Sequence, residues 1–405
     1  MVGRFGPASC GLIAESERAG VLFFSGVESY RRNRIVKVLG IETSCDECAA
    51  AVVEDGRKIL SSVVATQIPF HAAYNGVVPE IASRMHTEWI NRVVQEALDK
   101  ASLGARDVES VAATAHPGLL GSLLVGLSFA KAFSWAGNIP FIAVDHMLAH
   151  LYAHRLVYQN DPWADSSAEA GAERNTAYPF LGLLVSGGHS IICRADSFDD
   201  ITVLGTTIDD AVGEAFDKVS KHYGFGYPGG AVIDKLARNG DAHAFNFPMP
   251  NLHKGDHRYD VSYSGLKTAV INQLEQFRAC PAGRISPDAQ QDSPGEGGAG
   301  YNPADLAASF QRTAVDILLR SLFRAVEDTG LTTIVAGGGV AANSCLRAAL
   351  AQRQDLRCIF PPLELCGDNG AMVAGLGYQY LARGEQSSLR VTANARVRSF
   401  KRRYP

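Results

Sequence analysis

Positive charge is not in excess in this chain: 38 lysines and arginines face 42 aspartates and glutamates, for a net charge of −4. A basic field over the whole molecule is therefore excluded, and any nucleic-acid binding must use a local patch. A cysteine framework is also missing. The 8 cysteines are scattered, which fits a reducing compartment rather than a disulfide scaffold. Cys45 and Cys48 form a CxxC with no second CxxC to complete a structural zinc site, so they read as two small residues after a strand. The long apolar stretch "GLLGSLLVGLSFAKAFSWAGNIPFIAV" is interrupted by Lys131, Asn138 and Pro140. It reads as a buried helix followed by a strand, and no membrane span is expected. With 46% hydrophobic and 20% charged residues, the composition is that of an ordinary globular protein, long enough for two domains.

What is present is an alternation of strand-like and helix-like segments. The folded body is expected to begin at "IVKVLGIETS", a β-rich run ending in a small-residue turn, followed by "AAAVVED" and "KILSSVVAT". Helical pattern dominates 79–101, 119–136 and 145–157, with strands at "VESVAATA" and "PFIAVD". Later, "YPFLGLLVSGGHSIICRAD" repeats the opening theme of strand, turn, strand. Helical segments follow at 209–222, 229–239, 263–277, 303–328, 341–353 and 369–382, with the strand "TTIVAGG" among them. This alternation predicts an α/β fold, and the repeated hairpin predicts a duplication with two lobes facing a cleft.

The expected division has residues 1–35 as a transit peptide or disordered extension, 36–158 as the first lobe and 159–178 as a polar linker. Residues 179–385 form the second lobe, whose last helices pack back on the first, and 386–405 form a basic tail. Residues 280–301, inside the second lobe, read as a low-complexity disordered insert. Arg4, Arg18, Arg31, Arg32 and Arg34 favour a transit peptide, whereas Glu15, Glu17 and Glu28 oppose one.

Several motifs can carry chemistry. His146 and His150 stand four apart in "VDHMLAHLYAH", which on a helix places both imidazoles on one face. Zinc peptidases put a glutamate directly after the first histidine, and here that position is Met147. A histidine stripe on a half-exposed helix is the plainer alternative, and His154 continues the same face. Asp368 in "LCGDNGAMVAG" is the candidate third ligand, with a helix N-cap as its plainer role. Two histidines, one carboxylate and open positions suit iron or zinc.

Ser186, Gly187 and Gly188 in "LLVSGGHS" form a turn whose N–H groups can face an anion, or an ordinary hairpin turn. Asp209, Asp210, Glu214 and Asp217 lie on one stretch with Lys218, either as a solvated face or with Asp217 holding a ribose hydroxyl or the ligand's amino group. Gly337, Gly338 and Gly339 form a strand-to-helix turn suited to a base or phosphate. It has neither GxGxxG nor GxxxxGK[ST] spacing, which excludes the dinucleotide and P-loop readings there. The stretch 71–86 holds His71, Tyr74, Glu80, Arg84 and His86, as a binding loop or a helix cap.

Together the segments "GIETSCDE", "HAAYNGVVPEIASRMH", "DHMLAH", "LLVSGGHS", "DDAVGEAFDKV", "GYPGG", "YSGLKTAV", "GGGVAANSCLR" and "CGDNGAM" run from about residue 37 to 380. In this order they resemble the TsaD/Kae/Qri family of tRNA N6-adenosine threonylcarbamoyltransferases. The resemblance implies the ASKHA fold, the two-lobed duplicated architecture of actin, sugar kinases and heat-shock chaperones. It implies transfer of a threonylcarbamoyl group from threonylcarbamoyl-AMP to N6 of adenosine 37, beside the anticodon, in tRNAs reading ANN codons, with AMP released.

Carried over by position, His146, His150 and Asp368 would bind one divalent metal, iron or zinc. Leu184, Val185, Ser186, Gly187, Gly188, Asp217, Gly230, Asp234, Ala342, Asn343 and Gly367 would bind the adenylate. No general base is identified. Family members usually carry threonine in place of Cys48, and Leu183 and Leu184 match the bacterial and organellar type rather than the archaeal one. With the N-terminal segment, this implies the mitochondrial branch, with a plastid or cytoplasmic address as the alternative. The implied partners are tRNA, a separate enzyme that supplies the adenylate, and a second copy in a homodimer. An ATP-dependent small-molecule kinase, or a non-enzymatic ATP-binding scaffold, is the alternative on the same fold.

Overall fold

The computed structural model describes residues 35–74, 76–160, 176–252, 257–279, 302–396 and 400–402. The insert 280–301, nearly all of the N-terminal segment 1–35 and most of the linker 159–178 lie outside the described residues.

Two sheets carry the fold. The first comprises β1 (Lys37–Glu42), β2 (Glu47–Glu54), β3 (Lys58–Thr66), β4 (Ser110–His116), β5 (Phe141–Asp145) and β6 (Val157–Tyr158). The second comprises β7 (Phe180–Val185), β8 (Ser190–Ala195), β9 (Ile201–Thr206), β10 (Thr333–Gly337), β11 (Arg357–Ile359) and β12 (Phe400–Arg402). Their strand orders are β5–β4–β1–β2–β3–β6 and β11–β10–β7–β8–β9–β12. Each strand of the second sheet thus holds the place of the strand six earlier in the first. In both, an antiparallel three-strand meander is flanked by parallel strands. This is the α/β duplication that the repeated hairpin predicts.

The helices are α1 (Ile68–Ala72), α2 (Pro79–Lys100), α3 (Leu120–Gly137), α4 (His146–Tyr152), α5 (Val212–Tyr223), α6 (Gly229–Ala237), α7 (Ser264–Ala279), α8 (Pro303–Thr329), α9 (Ser344–Ala351) and α10 (Gly370–Ala382). Strand β2 is buried along nearly its whole length because α2 and α10 cover it from its two sides. The small residues of α10 make this possible. A Cβ on Gly370 would lie 2.7 Å from backbone atoms of Gly40 and Ala51, so helix and sheet touch backbone to backbone. That contact sets the position of Asp368, two residues before the helix.

Three elements depart from the sequence reading. Helix α3 is not fully buried: Leu120, Leu124 and Trp135 are exposed, Trp135 at 78%. Its apolar run is long enough to span a bilayer by length and composition, yet one face packs on α2 and β4. Helix α4 ends at Tyr152 rather than continuing to residue 157. After a 3₁₀ turn at Ala153–Arg155, the chain extends so that Val157 can pair with Lys58. Helix α5 begins at Val212, not at residue 209. Asp209 instead accepts from Ser262, Tyr263 and Ser264 at the head of α7, and Asp210 pairs with Lys218 and Lys267.

The C-terminal segment runs back over the first sheet. Ser387 donates its N–H to the Phe141 carbonyl at 2.7 Å, Asn394 to that of Ala115 at 2.9 Å, and Val391 and Ala393 join the apolar core there. The backbone of β12 then pairs parallel with β9 of the second sheet.

Candidate active site

Strand β5 ends in Asp145, which caps α4 by accepting from the N–H groups of Met147 and Leu148 at 2.8 and 3.1 Å. The cap starts the helix at His146, so His146 and His150 lie one turn apart, with ring centroids 4.5 Å apart. Asp368 approaches from the other half of the chain. Its Oδ1 lies 3.1 Å from His150 Nε2 and 3.6 Å from His146 Nε2. Asp368 does not cap α10. The neighbouring Asn369 does, accepting from Met372 at 2.9 Å, which leaves the Asp368 carboxylate to face the histidines.

The three groups fit a divalent metal. Their ligand atoms lie within 4.8 Å of one another, and donors on a tetrahedral zinc are separated by roughly 3.4 Å. Behind His146 stands Glu42, at 0% exposure, with Oε2 3.1 Å from His146 Nδ1. A carboxylate in this place orients a ligating imidazole and raises its basicity. Glu42 also accepts from Ser44 N and Thr114 Oγ1, each at 2.5 Å. Burial opposes charge on His146, but Asp368 and then Glu42 outweigh it and raise the imidazole to about 9. A fully buried carboxylate and a partly buried one thus face two imidazoles, a donor set whose negative charge a divalent cation would balance. His154 stands apart: it is buried and donates Nδ1–H to the Leu151 carbonyl at 2.6 Å.

Two hairpin turns flank this centre. Between β1 and β2, residues Thr43–Asp46 are mostly buried. Ser44 Oγ lies 3.3 Å from His146 Nδ1. Burial and the charges of Asp368 and Asp46 push the Glu47 carboxyl far up, to about 10. Burial and then the Asp46 charge push the Cys45 thiol well up, and burial takes Cys48 to about 12, so the CxxC is no low-pKa redox pair.

Between β7 and β8, Gly187 and Gly188 are exposed and a Cβ on either would meet nothing within 4 Å. Ser186 N–H donates to the His189 carbonyl at 2.8 Å, which closes this turn. Burial, then the charges of His146 and His150, lower His189 to about 4, so it is neutral.

Of the remaining expected residues, several are engaged in fixing helix starts rather than offering a free group. A Cβ on Gly213 would meet the Ser186 carbonyl at 2.6 Å, so α5 begins against this turn. On α5, Asp217 accepts from Gly229 N at 2.7 Å at the head of α6, and Gly230 is open to space. Gly338 has φ +91 and lies against the Val185 carbonyl, where only glycine fits. Gly337 touches the His150 carbonyl, which brings β10 against the helix that carries both histidines.

Asp234 is engaged in capping: it accepts from Ser344 N at 3.1 Å and Ser344 Oγ at 2.7 Å. Asn343 caps α9 through Leu346 N and donates to Gln311 Oε1, both at 3.0 Å. Ala342 closes the 3₁₀ turn before it, and Gly367 is open. Leu184 and Val185 are fully buried, so only their backbone can reach a ligand.

Glu42, Asp46 and Glu47 had no assigned role in the sequence reading. The signal for Glu42 was present: a single acidic residue closing an otherwise apolar strand, immediately before a turn of small residues.

A family profile described as "TsaD: tRNA N6-adenosine threonylcarbamoyltransferase" matches residues 58–375. A protein of that name from Treponema denticola is 60% identical over 368 residues, covering 91% of this chain and 99% of that protein. The protein of the same name from Borreliella burgdorferi (strain ZS7) is 44% identical over 369 residues, covering 91% and 96%. Among solved structures, full-length HypF in its phosphate- and nucleotide-bound form aligns with a TM-score of 0.50 at 14% identity, over 87% of this chain and 47% of that one. This likeness concerns the fold, which is of the ASKHA type. The relatives correct the mitochondrial address, and its plastid alternative with it, because they are bacterial. The motifs were of a type shared by bacterial and organellar members and could not separate the two. With the profile matching most of the chain and full-length relatives this similar, the chain belongs to the tRNA N6-adenosine threonylcarbamoyltransferase family.

Proposed function

We propose that this chain transfers the threonylcarbamoyl group of threonylcarbamoyl-AMP to N6 of adenosine 37 in tRNAs reading ANN codons. The observation that carries the reading is full-length similarity to proteins named for this transfer, joined to a metal-ligand triad beside an open glycine turn. The adenosine N6 attacks the carbamoyl carbon. A C–N bond forms, the mixed-anhydride C–O bond breaks, AMP leaves with the electron pair and N6 loses one proton.

The donor is already activated, so the protein supplies position and charge stabilisation. The Ser186–Gly188 turn, with Asp217 and Gly230, supports a seat for the adenylate. Of the expected adenylate residues, Asp234 and Asn343 fix the start of α9 and act through it. A divalent ion held by His146, His150 and Asp368 would act as a Lewis acid toward the donor's oxygens. Glu42 keeps the His146 ring in its ligating orientation, and the low basicity of His189 keeps a neutral imidazole beside the site.

Arg390 and Arg396 are exposed on the C-terminal segment and support a phosphate contact for tRNA. Truncation is a poor test, because the partly buried Val391 and Ala393 pack against the core; charge reversal is the better one. The exposed Leu120, Leu124 and Trp135 of α3 support a second copy seated on that face. Sedimentation of the chain and of Trp135→Glu tests this, with a monomeric wild-type chain as the contradicting result.

The activity is tested with threonine, bicarbonate, ATP, an adenylate-forming enzyme and unmodified tRNA, followed by nucleoside mass analysis. N6-threonylcarbamoyladenosine is expected only when this chain is present. Its absence would overturn the reading.

A further inference from the structure

Gln67, His71 and His86 are polar side chains at 0% exposure, and none belongs to the candidate metal-ligand set. Buried polar groups persist when each is satisfied, and here the partners dictate one direction throughout. The Cys45 carbonyl can only accept, so His86 Nε2 donates to it at 2.9 Å. Neutral His86 Nδ1 then accepts from Gln67 Nε2 at 3.4 Å, which also donates to the Ala82 carbonyl at 3.4 Å. Gln67 Oε1 is left to accept from His71 Nε2 at 3.2 Å, and His71 Nδ1 accepts from the Val78 N–H at 3.3 Å. Burial lowers His86, in keeping with a neutral ring.

The near end of this chain meets the first hairpin turn. Three successive carbonyls of that turn each receive a donor distant in sequence: Ser44 from Leu119 N at 2.8 Å, Cys45 from His86, and Asp46 from Gln67 N at 3.0 Å. Two of the three donors therefore belong to the relay residues. The turn carries the Asp46 carboxylate and leads into the Glu47 carboxyl group at the start of β2. Asp217 and Tyr227 of the second half lie near enough to feel the charge of Asp46.

We propose that His71, Gln67 and His86 form a positioning relay that fixes the Ser44–Glu47 main chain, and through it the Asp46 carboxylate and the Glu47 carboxyl group, beside the site where transfer occurs. The relay rests on the transfer reading for its functional consequence, but its structural effect is measurable without it. None of the three residues touches substrate. Their role is to hold the turn in one conformation while the second half's glycine turn receives the donor.

The test uses the full chain with His86→Phe, which keeps ring bulk without hydrogen bonds, and His86→Gln, which restores a donor for Cys45 and an acceptor for Gln67. Amide hydrogen exchange at Ser44 and Gln67 is read together with kcat, KM for tRNA, and metal content. For His86→Phe, exchange is expected to speed and kcat to fall, each by about tenfold or more, with KM and metal content within about twofold. His86→Gln is expected to recover both to within about threefold of wild type. If His86→Phe does not fold, His71→Phe breaks the relay at its far end and is read by the same criteria.

Wild-type exchange and kcat in the Phe variant would overturn the proposal, as would a kcat loss without faster exchange, or a loss that His86→Gln fails to restore. If wild-type protein gives no transfer at all, the transfer reading fails and the exchange arm alone decides the relay.

Discussion

The two halves share one strand order, yet their first hairpin turns are built in opposite ways. The turn between β1 and β2 is mostly buried and its carbonyls are held by Leu119, His86 and Gln67. The turn between β7 and β8 has two exposed glycines with open space where side chains would be. Duplication supplied two equivalent hairpins, and the sequence made one a buried turn with its carbonyls held and the other an exposed turn with open space around two glycines. The candidate metal-ligand triad draws on both halves, with His146 and His150 following the first sheet's β5 and Asp368 preceding α10.

The largest expected effect comes from the residue that ties the held turn to the candidate metal ligands. Glu42→Gln removes a buried charge from behind His146 and from Ser44 N. Metal affinity is expected to fall by roughly 10–100-fold, read by competition with a chelator. Unchanged affinity would detach the first turn from the metal centre.

A paired substitution tests the contrast between the turns themselves. Gly126 packs against the Thr43 side chain, so Gly126→Ala is expected to destabilise the fold by roughly 1–3 kcal/mol. Gly187→Ala is expected to change stability by less than about 0.5 kcal/mol, while raising KM for the donor. Denaturant unfolding and donor titration of both variants measure this. If Gly187→Ala proves the more destabilising, the contrast fails.

Acid stability bears on His154, the histidine left out of the ligand set. Burial, and then the Arg155 charge, lower it to about 3. An unfolded histidine takes its proton near 6.5, so between these values the unfolded chain binds more protons. The stabilising contribution is complete above about pH 6.5 and is lost toward pH 3, by at most about 1.4 kcal/mol per pH unit. His154→Gln should flatten that part of the stability curve.

The smallest effect is expected from Arg390→Glu with Arg396→Glu. The logarithmic salt slope of tRNA binding should fall by about one for each phosphate that these arginines neutralise in the wild type. An unchanged slope would place the tRNA elsewhere.

Much of this was legible in the sequence because it rests on local pattern. The strand–turn–strand repeat announced the duplication, and the four-residue spacing put both histidines on one helix face. Asp368 was a candidate third ligand from its own motif, but local pattern could not show it meeting the histidines, because 218 residues separate it from His150. Short strands such as β6, β11 and β12 carry too few residues for a period and form because a neighbouring edge pairs with them. The exposed face of α3 was misread because an apolar helix looks the same whether the fold or a partner covers it. Gln67 was silent, and His86 stood out only as one polar residue of a possible binding loop or helix cap, because their roles are hydrogen bonds between distant segments, which leave no periodic trace.

The central claim is tested most directly by single-turnover transfer from preformed threonylcarbamoyl-AMP to unmodified tRNA, with wild type and Asp368→Asn compared and the metal content of each measured. The account predicts N6-threonylcarbamoyladenosine and AMP in equal amounts from the wild type, and loss of bound metal together with transfer in the variant. AMP release without the modified nucleoside from the wild type, or full transfer by a metal-free variant, would contradict it.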